Sequence, residues 1–182
     1  MIQTERLLLR QWTETDREPF ARLNSDPRVM EFFPRCLDRE ESDRVAGNIE
    51  RKIEEWGFGL WAAELTATST FIGFIGLSVP GFEAHFTPCV EIGWRLAAEY
   101  WNRGLATEGA AAVVRHAFGV LGLPELVSFT AEINMPSRRV MEKIGMTRDA
   151  AEDFDHPNLP AGHRLRRHVL YRLAKEEELG RE

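Results

Sequence analysis

The chain has 182 residues, enough for one domain that buries roughly 70% of the surface of its unfolded chain. A net charge of −6 at pH 7 argues against a nucleic-acid-binding protein, which would need a basic surface. The apolar run Leu7–Leu9 is too short for a signal peptide or a membrane span, so we expect a cytoplasmic protein with no membrane partner. Cys36 and Cys89 form no CxxC unit and the histidines show no metal-ligand spacing, so we expect no metal.

Capping signals and periodicity predict the elements of the N-terminal half. Asp38 and Glu41 are three residues apart, which resembles a capping box at the start of a helix. Gly57 and Gly59 predict the end of that helix. The predicted elements in chain order are a strand over 6–11, helices over 13–23 and 38–56, and a hairpin of strands over 60–65 and 70–78.

A strand–helix–strand unit is predicted in the middle of the chain, which indicates an α/β or α+β fold. Ala110, Val113 and Ala117 fall on one face of a long helix. Val169, Tyr171 and Leu173 fall at alternate positions on a final strand. The predicted elements are a loop over 80–88, a strand over 90–96, a helix over 104–121, a strand over 126–133, a helix over 136–144 that ends at Gly145, a loop over 153–162 and a strand ending at Leu173.

The segment from Glu91 to Glu108 carries the strongest chemical signal. A strand runs into a short turn, and the small residues Gly104 and Ala106 open a long helix. The unpaired N–H groups and positive dipole at a helix start attract phosphate, glycine lets the backbone approach it, and Thr107 adds a hydroxyl. The segment has neither the Walker GK[ST] nor the GxGxxG pattern. From the residues alone, a phosphate site and a glycine-opened helix with nothing bound remain equally open.

The segment 101–106, Trp-Asn-Arg-Gly-Leu-Ala, resembles the coenzyme A-binding motif Q/R-x-x-G-x-G/A of the GNAT superfamily of N-acetyltransferases. Trp101 departs from the usual Gln or Arg, and in the context of Glu99 and Tyr100 it is similar to the RimJ/RimL branch. The resemblance implies a mixed, mostly antiparallel central sheet with helices on both faces and a V-shaped splay between the two middle strands. It also implies a single N-acetyltransferase domain over 1–182, with a core over about 4–174.

The resemblance implies acetyl-coenzyme A as acetyl donor, with its pantetheine arm in the V-shaped cleft, paired with strand backbone. A second block, 134–146, resembles the family segment N-x-x-S/A-x-x-x-Y-E-K-x-G-F. Asn134 would then reach the cofactor arm, with a plain turn residue as the alternative. The implied cofactor-binding residues are Trp94, Leu96, Asn102, Arg103, Gly104, Leu105, Ala106, Thr107 and Asn134.

The family transfers acetyl by direct attack, without an acyl-enzyme. Met141 stands where many members have a tyrosine general acid. Ser137 is predicted to help the thiolate leave, with a helix N-terminal residue as the alternative. Glu91 is the predicted base or ammonium anchor, and the alternative is a strand carboxylate paired with Arg95 or another cation. His168 is a second candidate base.

The acceptor is predicted from the cost of neutralising an amine. At pH 7 this costs about 1–1.4 kcal/mol for an α-amine and about 4.6 kcal/mol for a lysine amine. A chain with no evident strong base therefore favours a low-pKa amine such as a protein N-terminus, while a small-molecule amine and a silent acyl-CoA-binding module remain open. The resemblance leaves room for a homodimer. Phe32, Phe33 and Trp61 are predicted to line the core or the cleft.

Overall fold

The computed structural model describes residues 1–175, which form nine β-strands and four α-helices. The predicted domain range of 1–182 includes residues 176–182, which lie outside the described residues. The elements are β1 (Ile2–Gln3), β2 (Leu7–Arg10), α1 (Arg17–Ser25), α2 (Arg39–Trp56), β3 (Leu60–Leu65), β4 (Thr70–Ser78), β5 (Glu91–Leu96), α3 (Leu105–Gly119), β6 (Glu125–Ala131), α4 (Met135–Lys143), β7 (Thr147–Arg148), β8 (Phe154–Asp155) and β9 (Arg167–Ala174).

Most predicted elements are confirmed to within two residues, and the differences are local. The helix predicted over 13–23 begins as a 3-10 turn at Glu14–Asp16 and continues as α1. β1 precedes the strand predicted over 6–11, and β8 lies inside the loop predicted over 153–162. A strand of two residues is too short to show alternation, so only its pairing with β2 or β9 defines it.

The strands form one open sheet in the order β1-β2-β3-β4-β5-β6-β9-β7, with β8 paired to β9. Every pairing is antiparallel except that between β5 and β6, which the α3 crossover makes parallel. β5 and β6 share one register pair, Glu91 with Val127, and then separate. The expected mixed sheet with a splay between its middle strands is therefore confirmed.

Helices cover both faces of the sheet, as the resemblance implied. The large core lies under α3 and α4, where Ile92, Val113 and Met141 are buried. A second core lies under α1 and α2, where Phe20, Ile49 and Phe74 pack together. Alternate side chains of β5 therefore point to opposite faces of the sheet, some to the α3 side and the others to the α1 and α2 side.

The ends of α2 follow the sequence signals. The Asp38 carboxylate accepts a hydrogen bond from the Glu41 N–H at 2.8 Å, and the Glu41 carboxylate accepts one from the Asp38 N–H at 3.1 Å. Gly57 ends the helix in the left-handed region, at φ 74°. The predicted capping box and glycine stop are both confirmed, and they define the two ends of α2.

No helix among residues 1–175 is both long enough and apolar enough to cross a membrane. α2 is the longest of them, at 18 residues, and it is charged along most of its length. In the same part of the chain, no group of three or more His, Cys, Asp or Glu side chains is arranged to hold a metal ion.

Gly73 generates the first testable prediction, because no side chain fits at this position of β4. Its φ is 138°, and a Cβ would lie 2.0 Å from the Arg95 carbonyl oxygen in β5. We expect Gly73→Ala to lower the free energy of unfolding by about 2–4 kcal/mol, measured by urea denaturation. The matched control is Gly47→Ala in α2, where a Cβ meets nothing within 4 Å and where alanine should add about 0.5–1 kcal/mol. Equal midpoints for the two variants would contradict the close approach of β4 and β5.

Candidate active site

The splay leaves one edge of β5 open. The Ala97 N–H donates to the Ile72 carbonyl of β4 at 2.9 Å, so strand alternation points the peptide groups of even-numbered β5 residues towards β6. At the start of β5, Ser128 of β6 closes the edge that faces β6, because its hydroxyl donates to the Ile92 carbonyl at 2.9 Å. The Trp94 peptide group lies beyond this contact. It faces the wedge between the strands and is available to a ligand.

Leu96 differs from Trp94 in how much of its peptide group is available. The Leu96 carbonyl accepts a hydrogen bond from the Trp101 indole N–H at 2.8 Å. The predicted backbone contact at Leu96 is therefore restricted to its N–H group. The same bond gives a physical reason for the departure at Trp101, because the indole connects the turn to the end of β5.

The start of α3 has the geometry of an anion site. Gly104 is the N-cap, at φ 77°, and no side chain caps the helix. The first intrahelical bond runs from the Glu108 N–H to the Gly104 carbonyl at 3.0 Å. The N–H groups of Leu105, Ala106 and Thr107 therefore have no intrahelical acceptor and point out of the helix end. Together with the helix dipole they favour a phosphate group.

Two N-terminal residues hold this turn in place. The Arg6 guanidinium donates to the Arg103 carbonyl at 2.9 Å and to the Glu108 carboxylate at 2.7 Å. The Thr4 hydroxyl donates to the same carboxylate at 2.6 Å. Asn102 adopts φ 59°, which asparagine tolerates better than most residues. Sequence reasoning missed Arg6 and Glu108, because no local pattern reveals a contact between residues a hundred positions apart.

Glu91 lies at the start of β5, where the two strands part. The Ser78 hydroxyl donates to its carboxylate at 3.0 Å. Burial raises the pKa of Glu91 from 4.5 to about 7, although the Ser78 bond acts in the opposite direction. Among residues 1–175 Glu91 forms no ion pair. Arg95 binds the Asn24 side chain instead, so the alternative that pairs Glu91 with Arg95 is wrong.

Asn134 and Ser137 lie at the start of α4. The Asn134 carbonyl oxygen accepts from the Ser137 N–H at 3.3 Å, and its amide donates to the Thr130 hydroxyl at 2.8 Å. Asn134 is thus the N-cap of the helix. The Ser137 hydroxyl is partly exposed and has no hydrogen-bond partner among the described residues. Met141 is 1% exposed within the core, so no proton donor stands at that position.

His168 lies in an aromatic cluster on the same face of the sheet as α1 and α2. Its ring centroid is 4.9 Å from that of His156 and 5.6 Å from that of Phe154. Burial lowers the pKa of His168 to about 4. The imidazole is therefore neutral at pH 7, and it takes a proton from an ammonium group less readily than Glu91 does. Burial also raises the pKa of the Cys89 thiol, to about 11, which keeps it protonated.

Two cavities open on this part of the surface. A groove of about 250 Å³ runs between α2 and strands β3–β5, and its lining includes Ser78 and Arg95. A larger cavity of about 610 Å³ lies between α1 and the β3–β4 turn. In the larger cavity Arg10 pairs with Asp16 and Glu64, each at 2.7 Å, so these charges are already satisfied. The smaller groove adjoins Ser78, whose hydroxyl binds the Glu91 carboxylate.

Comparison with known proteins identifies the class. The family model described as an acetyltransferase (GNAT) domain matches residues 6–147, so the chain belongs to the GNAT acetyltransferase family. The FsC-acetyl coenzyme A-N(2)-transacetylase of Aspergillus fumigatus is 33% identical over 98% of this chain and 77% of that protein. An uncharacterised N-acetyltransferase of Bacillus subtilis, YnaD, is 30% identical over 97% of this chain and 98% of that protein. A GNAT-family acetyltransferase structure from Bacillus anthracis has a TM-score of 0.79 at 27% identity, covering 96% of this chain and 98% of that one.

The second prediction tests the start of α3. We expect Gly104→Val to weaken coenzyme A binding at least about tenfold in isothermal titration, because it strains the turn that presents the free N–H groups. Gly122→Val is the matched control, since Gly122 also has a positive φ, of 67°, but follows the other end of α3. The control should lose similar thermal stability and keep its affinity. If both variants bind coenzyme A as the unmodified protein does, α3 does not hold the phosphates.

Proposed function

We propose that this protein transfers an acetyl group from acetyl-CoA to a primary amine by direct attack. The observation that carries the proposal is the uncapped start of α3 beside the open edge of β5, within the range that the GNAT model matches. The name of the Aspergillus fumigatus relative, which includes acetyl coenzyme A and a nitrogen position, supports the same activity.

The residues of the splay fit the donor. The N–H groups of Leu105, Ala106 and Thr107 bind the pyrophosphate, and Gly104 leaves room for it. The peptide groups of the turn at Asn102 and Arg103 complete this end of the site. The Trp94 carbonyl and the Leu96 N–H pair with the pantetheine amides as another strand would. Asn134 fixes the start of α4 on the opposite side of the wedge.

The transfer needs a neutral amine, stabilisation of the developing oxyanion and protonation of the leaving sulfur. The amine lone pair attacks the thioester carbonyl carbon, a C–N bond forms, and the C–S bond then breaks. Glu91 removes a proton from the incoming ammonium, directly or through water. The Trp94 N–H donates to the oxyanion. As the C–S bond breaks, the attacking nitrogen loses its second proton. The Ser137 hydroxyl, which has no other partner among the described residues, relays a proton to the leaving thiolate and regains one from the nitrogen, through water.

The properties of Glu91 favour an acceptor of low pKa. A base with a pKa of about 7 takes a proton from an α-ammonium at a cost of about 1–1.4 kcal/mol, against about 4.6 kcal/mol for a lysine amine. A protein N-terminus is one acceptor of this kind, and the RimJ/RimL-like context of Trp101 supports it. A small-molecule amine is the second candidate, supported by the groove of about 250 Å³.

The direct test is acetylation itself. Purified protein, acetyl-CoA and separate sets of N-terminal peptides, amino acids, aminoglycosides and polyamines should give a product heavier by one acetyl group in one set. Free thiol should be released at the same rate. A protein that binds coenzyme A tightly but releases no thiol with any amine would be a silent acyl-CoA-binding module, the alternative that Met141 raises.

The third prediction concerns Glu91 and pH. We expect Glu91→Gln to lower kcat/KM by about 10²–10⁴-fold at pH 7. The loss should shrink as the pH rises, because more of the amine is already neutral. In the unmodified protein the rate should rise through an apparent pKa near 7, and in the variant only the titration of the amine should remain. Glu132→Gln, at an exposed site, is the control and should leave the profile unchanged.

The Glu91→Gln variant should lose activity but gain thermodynamic stability at high pH. Because the pKa of Glu91 is higher in the folded than in the unfolded state, the folded protein holds an extra proton between about pH 4.5 and 7. Stability therefore falls as the pH rises through this window. The glutamine variant cannot ionise, so at pH 8 it should be more stable than the unmodified protein, on the order of 1–2 kcal/mol. A lower melting temperature at pH 8 together with a normal rate profile would show that Glu91 is a structural residue.

The fourth prediction concerns Ser137. We expect Ser137→Ala to lower kcat about tenfold or more while the affinity for acetyl-CoA is retained, since the hydroxyl acts only as the sulfur leaves. Ser137→Thr keeps a hydroxyl on the same helix end and should retain more activity. Unchanged turnover in the alanine variant would leave Ser137 as a helix-end residue only.

A further inference from the structure

Arg95 is a partly buried cation whose hydrogen bonds are incomplete. One guanidinium nitrogen, Nη1, donates to the Asn24 side chain at 2.6 Å, and Asn24 is in turn fixed by Ser42. The guanidinium stacks on the Phe33 ring at 3.9 Å and lies 5.4 Å from the Phe74 ring. Its buried Nε has no hydrogen-bond partner among the described residues. The side chain is thus held in one place, with part of its donor capacity unused.

No carboxylate of the described residues compensates the charge of Arg95. Burial lowers the pKa of its guanidinium to about 10, which reflects the cost of enclosing a cation that has no anionic neighbour. Most other arginines among residues 1–175 differ from Arg95 in that they form an ion pair with Asp or Glu. An unpaired and largely desolvated charge of this kind is unusual in a structure that serves stability alone.

Arg95 also lines the groove between α2 and β3–β5. A second cation, Lys52, lies on the same lining, with its ammonium 4.9 Å from the Trp56 ring. No Asp or Glu belongs to the lining that the described residues form. The groove is therefore locally cationic in a chain whose net charge is −6. Long-range charge favours a cationic acceptor, whereas this groove favours an anionic group at short range.

We propose that Arg95 binds a carboxylate of the acetyl acceptor, so that the acceptor is an amine that also carries an acid group. The guanidinium fork matches a carboxylate in shape and charge, and the rings of Phe33 and Phe74 keep it oriented. Glu91 lies four positions earlier on the same face of β5 and receives the amine end. This proposal rests on the acetyltransferase function and adds the class of its acceptor.

The test compares acceptors that differ only in the acid group. Dipeptides and ω-amino acids are each supplied with a free carboxylate or as the carboxamide. The acid must be several bonds from the amine, because a nearby carboxylate would change the pKa of the amine itself. We expect the unmodified protein to favour the carboxylate form about 10- to 100-fold in kcat/KM, mostly through KM. Comparing the two series shows whether the carboxylate belongs to a peptide or to a free amino acid.

Variants assign the preference to Arg95. Arg95→Gln should remove the preference by raising KM for the carboxylate form, with little change for the carboxamide. Arg95→Lys should keep part of it, since the charge remains and the fork is lost. Arg115→Gln, at an exposed site in α3, removes the same charge far from the groove and should keep the full preference. Circular dichroism checks that each variant folds.

The outcomes separate the two proposals. If no amine of either form releases thiol, the acetyltransferase function fails. If carboxamides or polyamines are acetylated as well as the carboxylates, only the role of Arg95 is wrong. Should Arg95→Gln fail to fold, inhibition of the unmodified protein by simple carboxylates that lack an amine decides the matter. Competition with the acceptor supports the site, and its absence overturns it.

Discussion

The separation of β5 from β6 after a single parallel pair is the constraint on which the rest of the site depends. Ser128 fixes the last contact before the strands part, by donating to the Ile92 carbonyl. Beyond it, β5 has a strand edge with no strand beside it, which a protein interior does not normally tolerate. A ligand with amide groups satisfies that edge. The crossover that creates the parallel pair also places the start of α3 next to the wedge, so the proposed phosphate and amide sites arise from one topological feature.

The strand β5 carries two charged side chains that have no ion-pair partner among residues 1–175. Glu91 and Arg95 lie on one face of the strand and are each desolvated, yet they do not pair with each other. Elsewhere among residues 1–175, charged side chains mostly form ion pairs, including the partly buried pair of Arg10 and Asp16. Two unpaired groups of opposite sign are expensive for the folded state. They are consistent with a substrate that supplies an amine to one and an acid group to the other.

The sequence alone determined most of the elements and the glycine-opened start of α3, because both depend on short-range physics. Asp38 and Glu41 capped α2 as predicted, and the apolar face of α3 is buried at Val113 and Ala117. Gly104 stands at the helix start with the left-handed geometry that glycine supplies most easily. The resemblance then supplied what periodicity does not contain, namely the mostly antiparallel sheet and the splay between its two middle strands.

Tertiary structure decided everything that depends on distant partners. Arg6 reaches Glu108 and the turn because β2 lies beside the start of α3, and no local pattern encodes that approach. The raised pKa of Glu91 comes from burial by other elements, and Arg95 is directed away from it by Asn24, seventy-one positions earlier in the chain. Periodicity specifies which face of a strand a side chain occupies. Only the packing of the helices and loops against the sheet specifies which groups that side chain contacts. Desolvation and hydrogen bonding act through space and not along the chain.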